Sequence, residues 1–182
     1  MAFKLIAISV LSAITLSACS KIGTNNTNVA NSKNATQVAV NQQAPQFNLQ
    51  SFDNQSISLE NLKGKAVFID FWAAWCPFCI EEMPEIEKIS QEFKDDLIVL
   101  GIHRTETEDV KTGAKFAKER GVTYSLLKDA DGSAYKAYTQ GRNFMPAAAF
   151  INREGKVVKF LYGPKTEEQM RQYVKEALGQ TN

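Results

Sequence analysis

Residues 66–72 read AVFIDFW, an apolar run interrupted only by Asp70. A half-buried strand alternates apolar and polar positions, whereas a nearly unbroken apolar run is the pattern of a strand covered on both faces. Such a strand needs helices above and below its sheet, so the run points to an α/β fold. FNLQSFDNQSISL (47–59) reads as two short strands around an Asp53–Asn54 turn. A helix is expected from the Cys76–Pro77 step to Phe93, and LIVLGI (97–102) is a second buried strand. EDVKTGAKFAKERG (108–121) predicts an amphipathic helix, with Val110, Ala114 and Ala117 on one side and Gly121 as its stop. TYSLL (123–127) and AAAFIN (147–152) read as strands. REGK (153–156) then turns into VVKFLYG (157–163), and Thr166 opens a last helix to Leu178. The expectation is a mixed central sheet flanked by helices. DADG (129–132) is a turn; as a calcium loop it would place Gln140 where glutamate is needed.

The chain has 182 residues, 44% of them hydrophobic, which suits one globular domain. Its 21 basic and 20 acidic residues give no single-sign field for nucleic acid. Three cysteines and one histidine are too few for a disulfide scaffold, a four-cysteine zinc site or a zinc finger. No metal is expected.

Two of the cysteines form WCPFC (75–79). Cys76 follows a buried strand and opens a helix, with Pro77 in the first helical position that proline favours. A thiol there faces unpaired backbone N–H groups and the positive end of the helix dipole, and both favour the thiolate. Cys79 lies one turn on, within disulfide reach but facing inward. Cys76 is therefore the expected exposed nucleophile and Cys79 the resolving thiol. Cys79, Glu82, Ile86, Ile89 and Phe93 share one helical stripe, which puts the Glu82 carboxyl on the buried side. Burial should raise its pKa and suit it to proton transfer near neutrality. Asp70 is a second acid in an apolar setting. The plainer alternatives are that Glu82 turns outward where Pro84 bends the helix, and that Asp70 caps a neighbouring turn. Pro146, in FMPAAAF, stands at a strand entrance, where proline is tolerated; the residues alone do not say whether its peptide bond is cis.

The N-terminus starts with Lys4 and an apolar stretch from Leu5 to Leu16, too short to span a bilayer, which needs about 20 apolar residues. It has the proportions of a secretory signal. Leu16-Ser17-Ala18-Cys19 resembles the lipobox of bacterial lipoproteins. That resemblance implies cleavage after residue 18, lipid on Cys19 and a membrane anchor held by more than one acyl chain. Ser20 rather than aspartate after the cysteine favours the outer membrane in a Gram-negative cell. Residues 20–44 are rich in asparagine, threonine, serine and glutamine, with no aromatic, and read as a disordered tether. Such a chain reaches on the order of 25–30 Å. The expected organisation is a signal peptide over 1–18, lipidated Cys19 and tether over 19–44, and a globular domain over 45–182.

FIDFWAAWCPFC resembles the active-site segment of the thioredoxin superfamily. The stretches APQFNLQSFDNQSISLENLKGK, EEMPEI, DADG and MPAAAFINREGKVV are similar to its TlpA/ResA-like extracytoplasmic branch. The resemblance implies a thioredoxin fold with extra N-terminal strands and a strand-helix insertion over about residues 104–128. It matches Cys76 to the attacking and Cys79 to the resolving cysteine, Asp70 to a buried aspartate and Glu82 to an active-site glutamate. Pro146 matches the cis-proline that faces the cysteine pair, Met145 the residue whose backbone pairs with substrate, and Trp75 the flanking tryptophan. Pro77 and Phe78 form the dipeptide that tunes potential, across a superfamily range of about −270 to −120 mV. AYTQGRNFMP (137–146) is slightly longer than the family pattern, so the loop beside the groove is expected to differ.

The implied function is a lipid-anchored, monomeric thiol–disulfide oxidoreductase in the cell envelope. It would reduce envelope proteins such as apocytochrome c, draw electrons from a membrane donor of DsbD/CcdA type and use no cofactor beyond its own disulfide. Three other readings compete with it. An oxidant of the same fold differs only in potential. A Sco-like copper chaperone would use Cys76, Cys79 and His103. A peroxiredoxin would need a threonine upstream of its cysteine that WCPFC does not supply.

Overall fold

The structure, a computed structural model, describes residues 38–180. The expected signal peptide, Cys19 and the first part of the tether lie outside the described residues. Seven strands form one mixed sheet: β1 (Asn48–Ser51), β2 (Ser56–Ser58), β3 (Ala66–Trp72), β4 (Leu97–His103), β5 (Ser125–Lys128), β6 (Ala147–Ile151) and β7 (Val157–Tyr162). Their order is β2-β1-β5-β4-β3-β6-β7. Strand β3 runs parallel to β4 and antiparallel to β6, so the run AVFIDFW occupies the interior of the sheet and all seven of its residues are buried.

The helices are α1 (Pro77–Glu92), α2 (Val110–Glu119), α3 (Ser133–Thr139) and α4 (Glu167–Leu178). Strand side chains alternate between faces. Ala66 and Phe68 pack with Ile86 and Ile89 of α1 and with Met170 and Val174 of α4. Val67, Ile69 and Phe71 pack instead with Tyr135 and Tyr138 of α3. Asp70 is therefore directed to the side that α1 and α4 cover. None of the helices among the described residues is long and apolar enough to cross a membrane.

Three elements differ from expectation. The tether ends earlier than residue 44, because Val38 and Ala44 are already buried in the core. The Val38 N–H donates to Tyr138 O at 3.1 Å and the Ala44 N–H to Gly155 O at 2.9 Å. A short 3-10 turn (Leu59–Leu62) precedes β3 and buries Leu59. The DADG turn continues directly into α3. Buried Asp129 accepts from the N–H groups of Ala134 (3.2 Å) and Tyr135 (2.8 Å), doing for α3 what an adjacent cap would otherwise do. The last helix does start with a capping box, Thr166 and Gln169 each accepting from the other's backbone N–H.

At the end of β4, His103 is fully buried. Its ring lies 4.6 Å from that of Trp72 and edge-on to Phe52 at 5.6 Å. Helix α2 crosses this ring at Gly113, where an added Cβ would stand 2.5 Å from His103 Nε2. Gly113→Ala should gain about 1 kcal/mol of helix propensity. It should lose more than that by overpacking a ring that is held on all sides, typically about 1–3 kcal/mol. Urea unfolding is expected to show a lower midpoint with an unchanged slope.

Candidate active site

The site is built where β3 ends. After Trp72 the chain makes a short connection and Cys76 becomes the N-cap of α1, in extended conformation, with Pro77 first inside the helix. Cys76 Sγ accepts from the Cys79 N–H at 3.3 Å, so one sulfur sits in the ring of unpaired amides at the helix mouth. Cys76 and Cys79 are joined by a disulfide, with Cα atoms 5.3 Å apart. The two sulfurs are not equivalent, since Cys79 is fully enclosed and Cys76 lines an open groove. The expected exposure of Cys76 needs correction. It is only 4% exposed and lines the groove rather than standing out from the surface.

That groove, about 320 Å³, is lined by Trp75, Cys76, Pro77, Phe78, Asn143, Phe144 and Met145. The Met145–Pro146 peptide bond is cis. Trp75, Phe78 and Phe144 are 49%, 53% and 62% exposed and form an apolar rim. Phe144 carried no signal beyond lying in the lengthened loop. Arg104 anchors that loop: it donates to Asn143 Oδ1 at 2.8 Å and lies 3.9 Å above the Tyr135 ring, whose hydroxyl donates to Phe144 O at 2.8 Å. The segment between β4 and α2 supports the opposite wall. Thr107 Oγ1 accepts from Trp75 Nε1 at 2.9 Å, and Glu108 Oε1 accepts from the Ala74 N–H at 2.5 Å.

The same Glu108 oxygen lies 2.7 Å from His103 Nε2, while His103 Nδ1 lies 3.1 Å from Thr105 Oγ1. Burial holds the His103 pKa below its ordinary value, with Glu108 working against it. Both ring nitrogens are thus engaged within the fold. Among the described residues no three His, Cys, Asp or Glu side chains are grouped to hold a metal ion.

Two acids are buried on the α1 side of the sheet. Glu82 is buried one turn along α1 from Cys79, and α1 runs unbroken through Pro84, so the carboxyl does not turn outward. Asp70 is completely buried, and neither of its oxygens has a hydrogen-bond partner, so it caps no turn. Between them comes a residue the sequence did not mark. The Lys165 ammonium lies 2.7 Å from Glu82 Oε2 and 3.8 Å from Asp70 Oδ1, and the Lys165 N–H donates to Glu82 Oε1 at 2.5 Å. Burial pushes the Asp70 pKa up to about 8, the Lys165 charge opposing and Glu82 adding to the rise. Burial likewise raises Glu82, against the charge and hydrogen bonds of Lys165.

A model of the AhpC/TSA family matches residues 40–160. The thiol–disulfide oxidoreductase ResA of Halalkalibacterium halodurans is 31% identical over 134 residues, 73% of this chain and 74% of that protein. Two solved structures are also similar. The pneumococcal exposed lipoprotein thioredoxin Etrx1 of Streptococcus pneumoniae is 32% identical, with a TM-score of 0.60, covering 72% of this chain and 99% of that one. MTB dsbF, solved in mixed oxidised and reduced forms, is 25% identical, with a TM-score of 0.66, covering 73% and 96%.

The raised Asp70 pKa sets a sign for stability against pH. Between its ordinary 3.8 and about 8, the unfolded chain has released this proton and the folded chain keeps it. The folded state therefore binds the extra proton, and stability falls as pH rises through that window. Asp70→Asn removes the cost. Thermal unfolding should show no gain near the bottom of the window and a rise in Tm on the order of 10 °C near its top.

Proposed function

The chain belongs to the AhpC/TSA family and is a thiol–disulfide oxidoreductase of the ResA type; from that premise we propose that it works as a lipid-anchored reductant of envelope proteins. The observation that carries the reading is the pairing of one groove-facing sulfur at a helix mouth with one enclosed sulfur, a helical turn along α1 from the buried Glu82 carboxyl. In the reduced protein the Cys76 thiolate attacks a client disulfide, and a mixed disulfide forms as the client's first sulfur leaves with the electron pair. Cys79 then gives up its proton, attacks the Cys76 sulfur and releases the second client thiolate. Two electrons have passed to the client, and the Cys76–Cys79 disulfide closes. Asp70 and Glu82 manage the Cys79 proton, which has no direct route to solvent. The dithiol is the whole redox equipment, so no cofactor enters.

The rim of Trp75, Phe78 and Phe144 favours a client presented as an extended segment with apolar residues beside its cysteine. The Met145 backbone, placed just before β6, would pair with that segment as an added strand. Apocytochrome c fits this description as an unfolded envelope protein. Re-reduction falls to a membrane donor of DsbD/CcdA type, and the protein acts as a monomer. For the anchor, support comes from the Leu16-Ser17-Ala18-Cys19 signal, which lies outside the described residues, and from the likeness to an exposed lipoprotein thioredoxin. Cys19→Ser should move the protein from the membrane to the soluble fraction while its activity on insulin persists.

For the chemistry, Cys76→Ser should abolish insulin reduction, and Cys79→Ala should accumulate mixed disulfides with clients, separable on non-reducing gels. Insulin reduction that survives Cys76→Ser sinks the proposal. Equilibration with glutathione decides direction: about −250 mV or lower fits a reductant, and a value near −120 mV makes the protein an oxidant.

A further inference from the structure

Lys165 stands immediately before the α4 cap, yet its side chain is only 1% exposed. An ammonium is not buried without compensation, because desolvation of a charge costs several kcal/mol unless opposite charges and hydrogen bonds offset it. Here two carboxyls face one cation. Neutrality then requires that one carboxyl keep its proton, and the distances are unequal. Glu82 receives both the ammonium at 2.7 Å and the Lys165 N–H at 2.5 Å, one on each oxygen. Asp70 has the ammonium at 3.8 Å and no hydrogen bond.

We propose that Lys165 is a positioning residue for the dithiol: it holds Glu82 ionised as the base for Cys79 and leaves Asp70 as the protonated partner. The inference rests on the reading of Cys76–Cys79 as the active dithiol and deepens it. In the resolving step the Cys79 S–H proton passes to the Glu82 carboxylate, and the new thiolate attacks the Cys76 sulfur. The bond between Cys76 and the client sulfur breaks, and that sulfur leaves with its electron pair and takes a proton from water. Glu82 returns its own proton to solvent once the client has left. The titratable groups around this proton are Asp70 from β3, Glu82, Glu85 and Glu87 from α1, the buried neutral Tyr124 phenol from the segment before β5, and Lys165 itself. Lys165 is the only cation among them, so the ionisation order of the two acids depends on it.

Lys165→Met keeps an unbranched apolar stem and removes the charge. Without it Glu82 should hold its proton to higher pH. The midpoint of the pH profile for single-turnover insulin reduction is then expected to move up by at least about one unit. Well below both midpoints that is about a tenfold loss of rate, recovered in alkaline buffer. A purely structural lysine would leave the midpoint in place, so an unmoved midpoint, or an equal loss at every pH, overturns the inference. If Lys165→Met does not fold, carboxyl-carbon NMR titration of the unaltered protein decides instead. Glu82 ionising before Asp70 supports the inference, and the reverse order overturns it. A wild-type protein inactive on insulin at every pH would bring down the dithiol reading and this inference with it. A reversed ionisation order with normal activity overturns the inference alone.

Discussion

One helix start governs the site. Strand β3 ends at Trp72 and α1 begins at Pro77, so the cap position between them falls on a cysteine. At that position a sulfur accepts a backbone N–H and sits where unpaired amides and the helix dipole stabilise negative charge. Its partner, three residues on, is carried by helical geometry into the core. An asymmetric dithiol follows from the placement of the helix alone. The groove walls and the aromatic rim then shape what reaches the outer sulfur.

Under the proposed mechanism, enclosing the second sulfur creates a proton problem that the buried charges would meet. Asp70, Glu82 and Lys165 lie on the α1/α4 side of the sheet, one cation against two acids. A well-packed apolar set of similar volume would be at least as stable. Burial pushes the Asp70 pKa up to about 8, a cost the fold carries at neutral pH to hold an acid there. Large apolar layers cover both faces of the sheet and offset that cost.

Much of this was legible in the residues. The run AVFIDFW has to be a doubly covered strand, and a Cys-Pro step after such a strand has to cap a helix. Glu82 was readable because it breaks the apolar stripe of α1, and Asp70 because it breaks the strand. Lys165 was not, for a lysine between proline and a capping threonine looks like any surface lysine. Its burial depends on α4 packing beside α1, a contact between residues 83 positions apart. Glu108 was hidden for the same reason, as its bonds to Ala74 and His103 arise only when the inserted segment folds over the β3–α1 connection. Helix α3 is short and takes its cap from Asp129, beyond the left-handed Gly132, so the usual signal is displaced. Val38 escaped because one valine in an asparagine-rich stretch has no periodicity to betray its burial.

The central claim is that the two sulfurs differ in ionisation because one caps a helix and the other is enclosed. Ultraviolet absorbance of the thiolate, followed against pH in the reduced protein and in Cys79→Ala, measures this directly. Cys76 should ionise well below the ordinary thiol value of about 8.5, and Cys79 above it. Two thiols that titrate together near that ordinary value would contradict the account.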